Sequence, residues 1–331
     1  MKRLLFLITL FAAAMSNAAQ VTEGAYIDRA DVNAFIEKMA TQSDYTEVEL
    51  VELFSTVKKQ EHLFELLNKP AEKELQWHQY RNIFISDKRI EQGVKFWRKN
   101  QAVLSQVSGK TGVPEQIIVA IIGVETFYGT YKGKDPVFDS LVTLAFDYPE
   151  RGLFFTRELE QFLLLVKEQN LNPRDLRGSY AGAMGMPQFI ASSYRSFAVD
   201  FDRDGQINLF DSIPDIAASV ANYFVKHGWR VNEAIAGPLT VLENNSIDQL
   251  TPSKKPTYQW SELVQNGLYS NTELDPATKV ALIKLEQKNR LEYWVGLQNF
   301  YVITRYNHSE LYAMAVYQLS LLIKASMGQT Q

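Results

Sequence analysis

Glu125 stands in the stretch Pro114–Gly129, PEQIIVAIIGVETFYG, where nearly every other residue is apolar. Ile118, Ile121 and Ile122 precede it by seven, four and three residues, so on a helix its carboxyl projects from an apolar face. An ionised carboxylate in that setting is costly, and relief comes from a partner or from an upward pKa shift. A carboxyl kept protonated near neutral pH is what a general acid requires. A buried glutamate that braces a neighbouring loop would satisfy the same pattern. Pro114 suits a first helical turn and Gly129 a stop, so the helix is expected to run between them.

A second constellation is DFDRDGQINLFD, residues 200–211. Asp200, Asp202 and Asp204 fall at positions 1, 3 and 5 of an EF-hand-like loop, Gly205 at position 6 and Asp211 at position 12. Converging carboxylates repel one another and call for a cation, and the glycine permits the sharp turn. Gln206 would add its backbone carbonyl and Ile207 would pack inward. Asp215 is the alternative last ligand if the loop is longer, or simply a carboxylate in the first turn of the next helix. The expected occupant is calcium in a structural role, or sodium in its place. A third segment, SYAGAMGMPQF at residues 179–189, is too rich in small residues for a helix interior. It brings backbone close either to a ligand or to another helix.

These segments need a frame. From Ala30 to about Lys110 apolar residues recur at helical spacing, as in Val32, Phe35, Ile36 and Met39, with a break at Asn68-Lys69-Pro70. Asp135 to Arg151 reads as loop and helix, and Leu153 to Val166 as an amphipathic helix. A further helix starts near Pro214 and stops at Gly228. From Gly237 to about Tyr306 the runs VALIKLEQ, LEYWVGL and FYVITRY read as short strands between turns. Ser309 can cap a last helix, Glu310 to Ser326. The expected fold is mainly α (α+β), divided into a helical scaffold (19–80), a core carrying the acidic loop (81–236), a small β-rich unit (237–306) and a terminal helix (307–331).

Residues 1–18 have the order of an export leader: Lys2 and Arg3, an apolar run from Leu4 to Met15, then Ser16-Asn17-Ala18. A soluble, exported, periplasmic protein is therefore expected. Losing Lys2 and Arg3 takes the formal charge from −4 to −6, which disfavours nucleic acid and anionic membranes as partners. With no cysteine in the chain, disulfides, thiolate catalysis and a cysteine-linked lipid anchor are excluded. His62, His78, His227 and His308 lack metal-ligand spacing, which argues against a metallohydrolase. No G-x-S-x-G elbow marks a serine hydrolase.

Taken together, GVETFYG, GSYAGAMGMPQF, the acidic loop, SVANYFVKHGW and ITRYNHSELYAMAV resemble the lytic murein transglycosylases of the B type, over about residues 80–318. The resemblance implies a lysozyme-like α core, a helical scaffold and a small β domain. It implies cleavage of the MurNAc-β-1,4-GlcNAc bond of peptidoglycan strands with formation of a 1,6-anhydro product. On it, Glu125 falls on the single catalytic acid, and Ser179, Gln188 and Phe189 on substrate contacts. Tyr80, Tyr223, Tyr306, Asn307 and Tyr312 fall on groove positions, where ring faces suit sugars and phenol groups are free for hydroxyls. Two departures stand out: Phe127-Tyr128 where relatives have Arg-Trp, and Glu150 where they carry a second arginine beside Arg151. Both bear on the grip on the peptide stem. A monomer is expected, with cell-wall synthesis or division proteins as conceivable partners. The rival functions are a hydrolytic muramidase, drawing a second carboxylate from Asp135, Asp139, Asp147 or Glu150, and a calcium-dependent wall-binding protein without catalysis.

Overall fold

The computed structural model describes residues 26–68 and 75–328. The leader read at residues 1–18 and the Lys69-Pro70 break lie outside them. The chain opens with six helices: α1 (Ala30–Gln42), α2 (Glu47–Ser55), α3 (His62–Asn68), α4 (Trp77–Phe84), α5 (Asp87–Lys99) and α6 (Gln101–Thr111). Local chemistry sets several ends. Thr46 and Glu49 form a capping box on α2, Ser86 caps α5, and Gly112 closes α6 in the left-handed region (φ 70°).

The next helix, α7 (Glu115–Thr126), carries Glu125. Residues 117–124 are all buried, and each fully buried isoleucine contributes on the order of 1.5–3 kcal/mol. The helix ends three residues before Gly129, a correction to the expected stop. Phe127 (φ 50°) and Tyr128 (φ 60°) both turn left-handed instead. The Phe127 and Tyr128 amides close on the Gly123 and Ile122 carbonyls, at 3.1 and 3.2 Å. Left-handed backbone at non-glycine residues costs roughly 1–2 kcal/mol each. The Tyr128 ring offsets that cost by lying in a notch where a Cβ on Gly123 would come within 2.6 Å of it, and its hydroxyl donates to the Arg89 carbonyl at 2.9 Å.

Beyond a two-residue strand, β1 (Asp135–Pro136), the antiparallel-packed pair α8 (Val137–Asp147) and α9 (Gly152–Glu168) leads to β2 (Arg177–Gly178), which pairs with β1. Rings of Phe35, Phe54, Phe138 and Phe146 join α1 and α2 to α8. The small-residue segment follows as a loop, then α10 (Ala191–Phe197), the acidic loop and α11 (Ile213–Lys226).

The β-rich region holds β3 (Ala236–Pro238), β4 (Thr240–Val241), β5 (Tyr258–Gln259), α12 (Trp260–Gln265), β6 (Leu268–Tyr269), β7 (Lys279–Glu286) and β8 (Leu291–Gly296). Its main sheet is antiparallel with order β3-β8-β7-β5. Alternation along β7 divides its two faces: Val280 and Leu282 join a small core with Trp260, Leu263, Leu268 and Val295, whereas Ala281, Ile283 and Leu285 join the main core. FYVITRY, read as a strand, is helical: α13 (Gln298–Tyr306). Its β-branched and aromatic residues favour strand locally. Burial of Phe300, Val302 and Ile303 in the main core overrides that preference, and Asn299 anchors the start by bonding to Arg230 and Glu233 backbone. The last helix, α14 (Glu310–Gly328), follows Ser309, whose hydroxyl accepts from the Tyr312 amide as expected of a cap, and packs on α7, α5, α13 and α4.

Candidate active site

Helix α14 brings Tyr312 to Glu125, two residues separated by 187 positions in sequence, and the phenol donates to Glu125 Oε1 at 2.5 Å. Tyr312 is buried; desolvation and the neighbouring Glu125 charge hold its pKa well above the ordinary phenol value. It therefore stays an O–H donor at any working pH. Tyr306 stacks on Tyr312 nearly parallel (6.5 Å, 9°) and meets the rings of Tyr223 and Phe189 at 4.9 and 5.8 Å. Tyr80, buried on α4, lies close enough to Tyr312 to raise its pKa further. Glu125, Tyr80, Phe189, Tyr223, Tyr306 and Tyr312 thus form one aromatic cluster around a single carboxyl.

The expectation of free phenols is not met. Tyr223 donates to the Arg305 carbonyl (2.6 Å), Tyr306 to the Pro187 carbonyl (2.6 Å) and Tyr312 to Glu125. Burial is the reason, since a desolvated hydroxyl must find an internal acceptor. Burial also pushes the Tyr223 phenol up to about 12.

The small-residue segment is a loop braced from several sides. Thr126, beside Glu125, donates to the Met186 carbonyl at 3.0 Å, and the Met186 amide bonds Leu209 at the end of the acidic loop. Gly185 (φ 71°) makes that approach possible, because a Cβ there would sit 2.4 Å from the Leu209 carbonyl oxygen. The segment's small residues thus serve close backbone packing. Ser179 Oγ accepts from the Ala183 amide, and the Gln188 amide nitrogen donates to the Gly185 and Lys132 carbonyls. Arg151, Tyr306 and Asn307 line a cleft of about 850 Å³ together with Tyr180 and Glu310. Tyr180 escaped the sequence reading, although an aromatic next to Ser179 in a glycine-rich loop was the available signal.

Of the four candidates for a second carboxylate, three are engaged elsewhere. Asp135 pairs with His62 (3.0 Å), Asp139 with Arg174 (2.7 Å), and Asp147 with Arg29 and Lys59. Glu150 is exposed in the turn before α9.

In the acidic loop, carboxylate oxygens of Asp200, Asp202 and Asp204 lie within 4.8 Å of one another. Backbone amides shape the loop: Asp200 accepts from Arg203 and Gly205, and Asp204 from Gln206. Asp211 turns away to Lys132 (3.1 Å) with its side chain 75% exposed. Asp215, 1% exposed, faces inward and accepts from the Phe201 and Asn208 amides. Desolvation raises its pKa, those amides work against the rise, and the charges of Asp202 and Asp200 add to it. Three converging hard oxygen donors fit a cation of the calcium kind.

Comparison with known proteins shows that the transglycosylase SLT domain family matches residues 28–321. The chain belongs to this family. Membrane-bound lytic murein transglycosylase B of Escherichia coli (strain K12) is 39% identical over 315 residues, 92% of this chain and 86% of that protein. Among solved structures, the soluble lytic transglycosylase SltB1 from Pseudomonas aeruginosa is 44% identical, with a TM-score of 0.86 over 90% of this chain and 99% of that one. The Escherichia coli lytic transglycosylase Slt35 in complex with calcium is 37% identical, with a TM-score of 0.86 over 95% and 99%. This transglycosylase is accordingly an enzyme that cleaves peptidoglycan glycan strands, with the lysozyme-like fold of its relatives. No helix among its described residues is long and apolar enough to cross a membrane.

Proposed function

We propose that Glu125 is the single acid-base group of a non-hydrolytic cleavage of the MurNAc-β-1,4-GlcNAc bond. The observation that carries this is a carboxyl set among buried apolar and aromatic residues and receiving a hydrogen bond from the Tyr312 phenol. The Glu125 proton passes to the glycosidic oxygen as the C1–O4 bond breaks. The carboxylate then removes the proton of the muramic 6-hydroxyl, whose oxygen attacks C1 and closes the 1,6-anhydro ring. The intramolecular hydroxyl takes the place of water, a gain from proximity and orientation. The substrate N-acetyl group would stabilise the intermediate, oriented from the Ser179 loop. The engagement of Asp135 by His62, Asp139 by Arg174 and Asp147 by Arg29 removes three of the four candidates for the second carboxylate that the hydrolytic route needs.

Asp200, Asp202 and Asp204, with the Gln206 carbonyl, would hold a structural calcium ion, and the calcium complex of Slt35 supports that reading. Asp215 is better placed than Asp211 for a last ligand, directly or through water. The ion would fix the loop whose Leu209 supports Met186 and, through it, Thr126 beside the acid. Arg151, Asn307, Tyr306 and Tyr180 would line the glycan groove, and action on the wall would follow export to the periplasm. Mass spectrometry of products released from purified sacculi tests the chemistry. Anhydro-muramic ends are expected, and predominantly reducing muramic ends would assign the enzyme to the muramidases instead.

A further inference from the structure

Next to the acid, the turn that ends α7 presents a face that the catalytic reading leaves unused. The Arg89 guanidinium lies between two rings, 5.3 Å from the Phe84 centroid and 5.1 Å from that of Phe127. Lys88 Nζ stands 5.8 Å from the Phe127 centroid, and Phe127 meets the Tyr131 ring at 6.2 Å. Tyr131 is 70% exposed. The rings fix the cations in place.

These cations lack counter-charges. Among the described residues, no carboxylate is within ion-pair distance of Lys88 or Arg89. The Arg89 guanidinium donates one hydrogen bond, to the Ile83 carbonyl, and its buried Nε has no acceptor. A partly desolvated guanidinium without an acid is costly in a protein of formal charge −4, where acids are plentiful. The face adjoins the aromatic cluster around Glu125 at two places. Phe127 is two residues past Glu125, and Phe84 packs on Tyr80 of the aromatic cluster at 5.0 Å.

We propose that Lys88, Arg89, Phe127 and Tyr131 form a rim subsite that takes free carboxylates of the peptide stem on the glycan strand being cut. The proposal rests on Glu125 and its aromatic cluster lying at the glycan site. Charge complementarity selects the occupant: the neutral backbone sugars offer nothing to unpaired cations, whereas the stem carries carboxylates. The aromatic faces already covered by the cations are not available for sugar stacking, which leaves Tyr131 to flank the stem.

The test compares KM on two substrates, glycan strands bearing uncrosslinked stems with free carboxylates and the same strands with those carboxylates converted to amides. In the wild type the strands with free carboxylates should have the lower KM, and the advantage should fade as salt screens the contact. Lys88→Glu, at an exposed position, should shift the KM ratio of free-carboxylate to amidated strands upward by about threefold or more, the scale of a charge reversal at an interface rim. Tyr131→Ala should shift it in the same direction by less. A ratio unchanged in Lys88→Glu, or an advantage insensitive to salt, would overturn the proposal. Retained turnover in Glu125→Gln would instead overturn the catalytic assignment, and the KM ratio would remain measurable in either case.

Discussion

Two acidic sites in this enzyme are built on opposite plans. At Glu125 one carboxyl is surrounded by buried isoleucines and tyrosines and receives a phenol hydrogen bond. In the acidic loop three carboxyls share a small exposed volume and are organised by the loop's own backbone amides. A single carboxyl in low dielectric can exchange a proton productively, because the environment brings its two protonation states close in energy. Three carboxyls in water stay charged, and their use is to attract a cation. Isolation suits chemistry, and convergence suits binding.

The contrast is broken most directly at Glu125. Glu125→Gln should fold with an unchanged Tm and lose on the order of 10²–10⁴-fold in kcat, the range for a positioned acid-base group. Turnover of sacculi and thermal unfolding, measured side by side, check it.

Tyr312→Phe keeps the ring and removes the donor. It should lower kcat by about tenfold, the scale of one lost charge-assisted hydrogen bond. Steady-state kinetics on the same substrate, with KM nearly constant, would match a role in holding the carboxyl; a large rise in KM with constant kcat would assign Tyr312 to substrate binding instead.

The acidic loop should respond in stability first. Calcium should raise Tm, with the shift growing as the free ion exceeds its Kd. Asp200→Ala with Asp204→Ala should abolish the rise and leave partial cleavage. Complete loss of activity on chelation, at a temperature where circular dichroism shows the fold intact, would place the ion in the chemistry and erase the distinction between the sites.

The smallest effect concerns a carboxylate committed to structure. Desolvation pushes the Asp147 pKa up, but hydrogen bonds from Arg29 and Tyr26 and the charges of Lys59 and Arg29 outweigh it, so the pKa is lowered. A lowered folded-state pKa means stability that is fully present above the unfolded value of about 4 and is lost as pH falls through the folded one. Asp147→Asn should therefore lower Tm by about 2–4 °C near neutral pH. The gap from wild type should close in strong acid. Thermal melts across pH 2–7 would show a constant gap if Asp147 contributed nothing through its charge.

Much was legible in the chain itself. The isoleucine spacing around Glu125 set the carboxyl on an apolar face, because helical periodicity is local. The acidic loop was legible for the same reason, since its carboxylates converge within five residues of sequence. The two ends of α11 and the start of α14 followed from Pro214, Gly228 and Ser309, whose effects reach one turn.

What tertiary structure decided were matters of long-range competition. FYVITRY became helix because a buried site for Phe300, Val302 and Ile303 outweighed local strand preference. Helix α7 stopped at Thr126 because the notch at Gly123 accepted the Tyr128 ring, which a reading of glycine stops does not contain. Asp211 and Asp215 looked equivalent along the chain until Lys132, 79 residues away, drew one of them off. The phenols were assigned to substrate until the fold supplied nearer acceptors. Hydrogen-bond partners separated by 82 to 187 positions, as for Tyr223, Tyr306 and Tyr312, are chosen by packing. Sequence sets what each side chain can donate or accept, and the packed core sets which partner is within 3 Å.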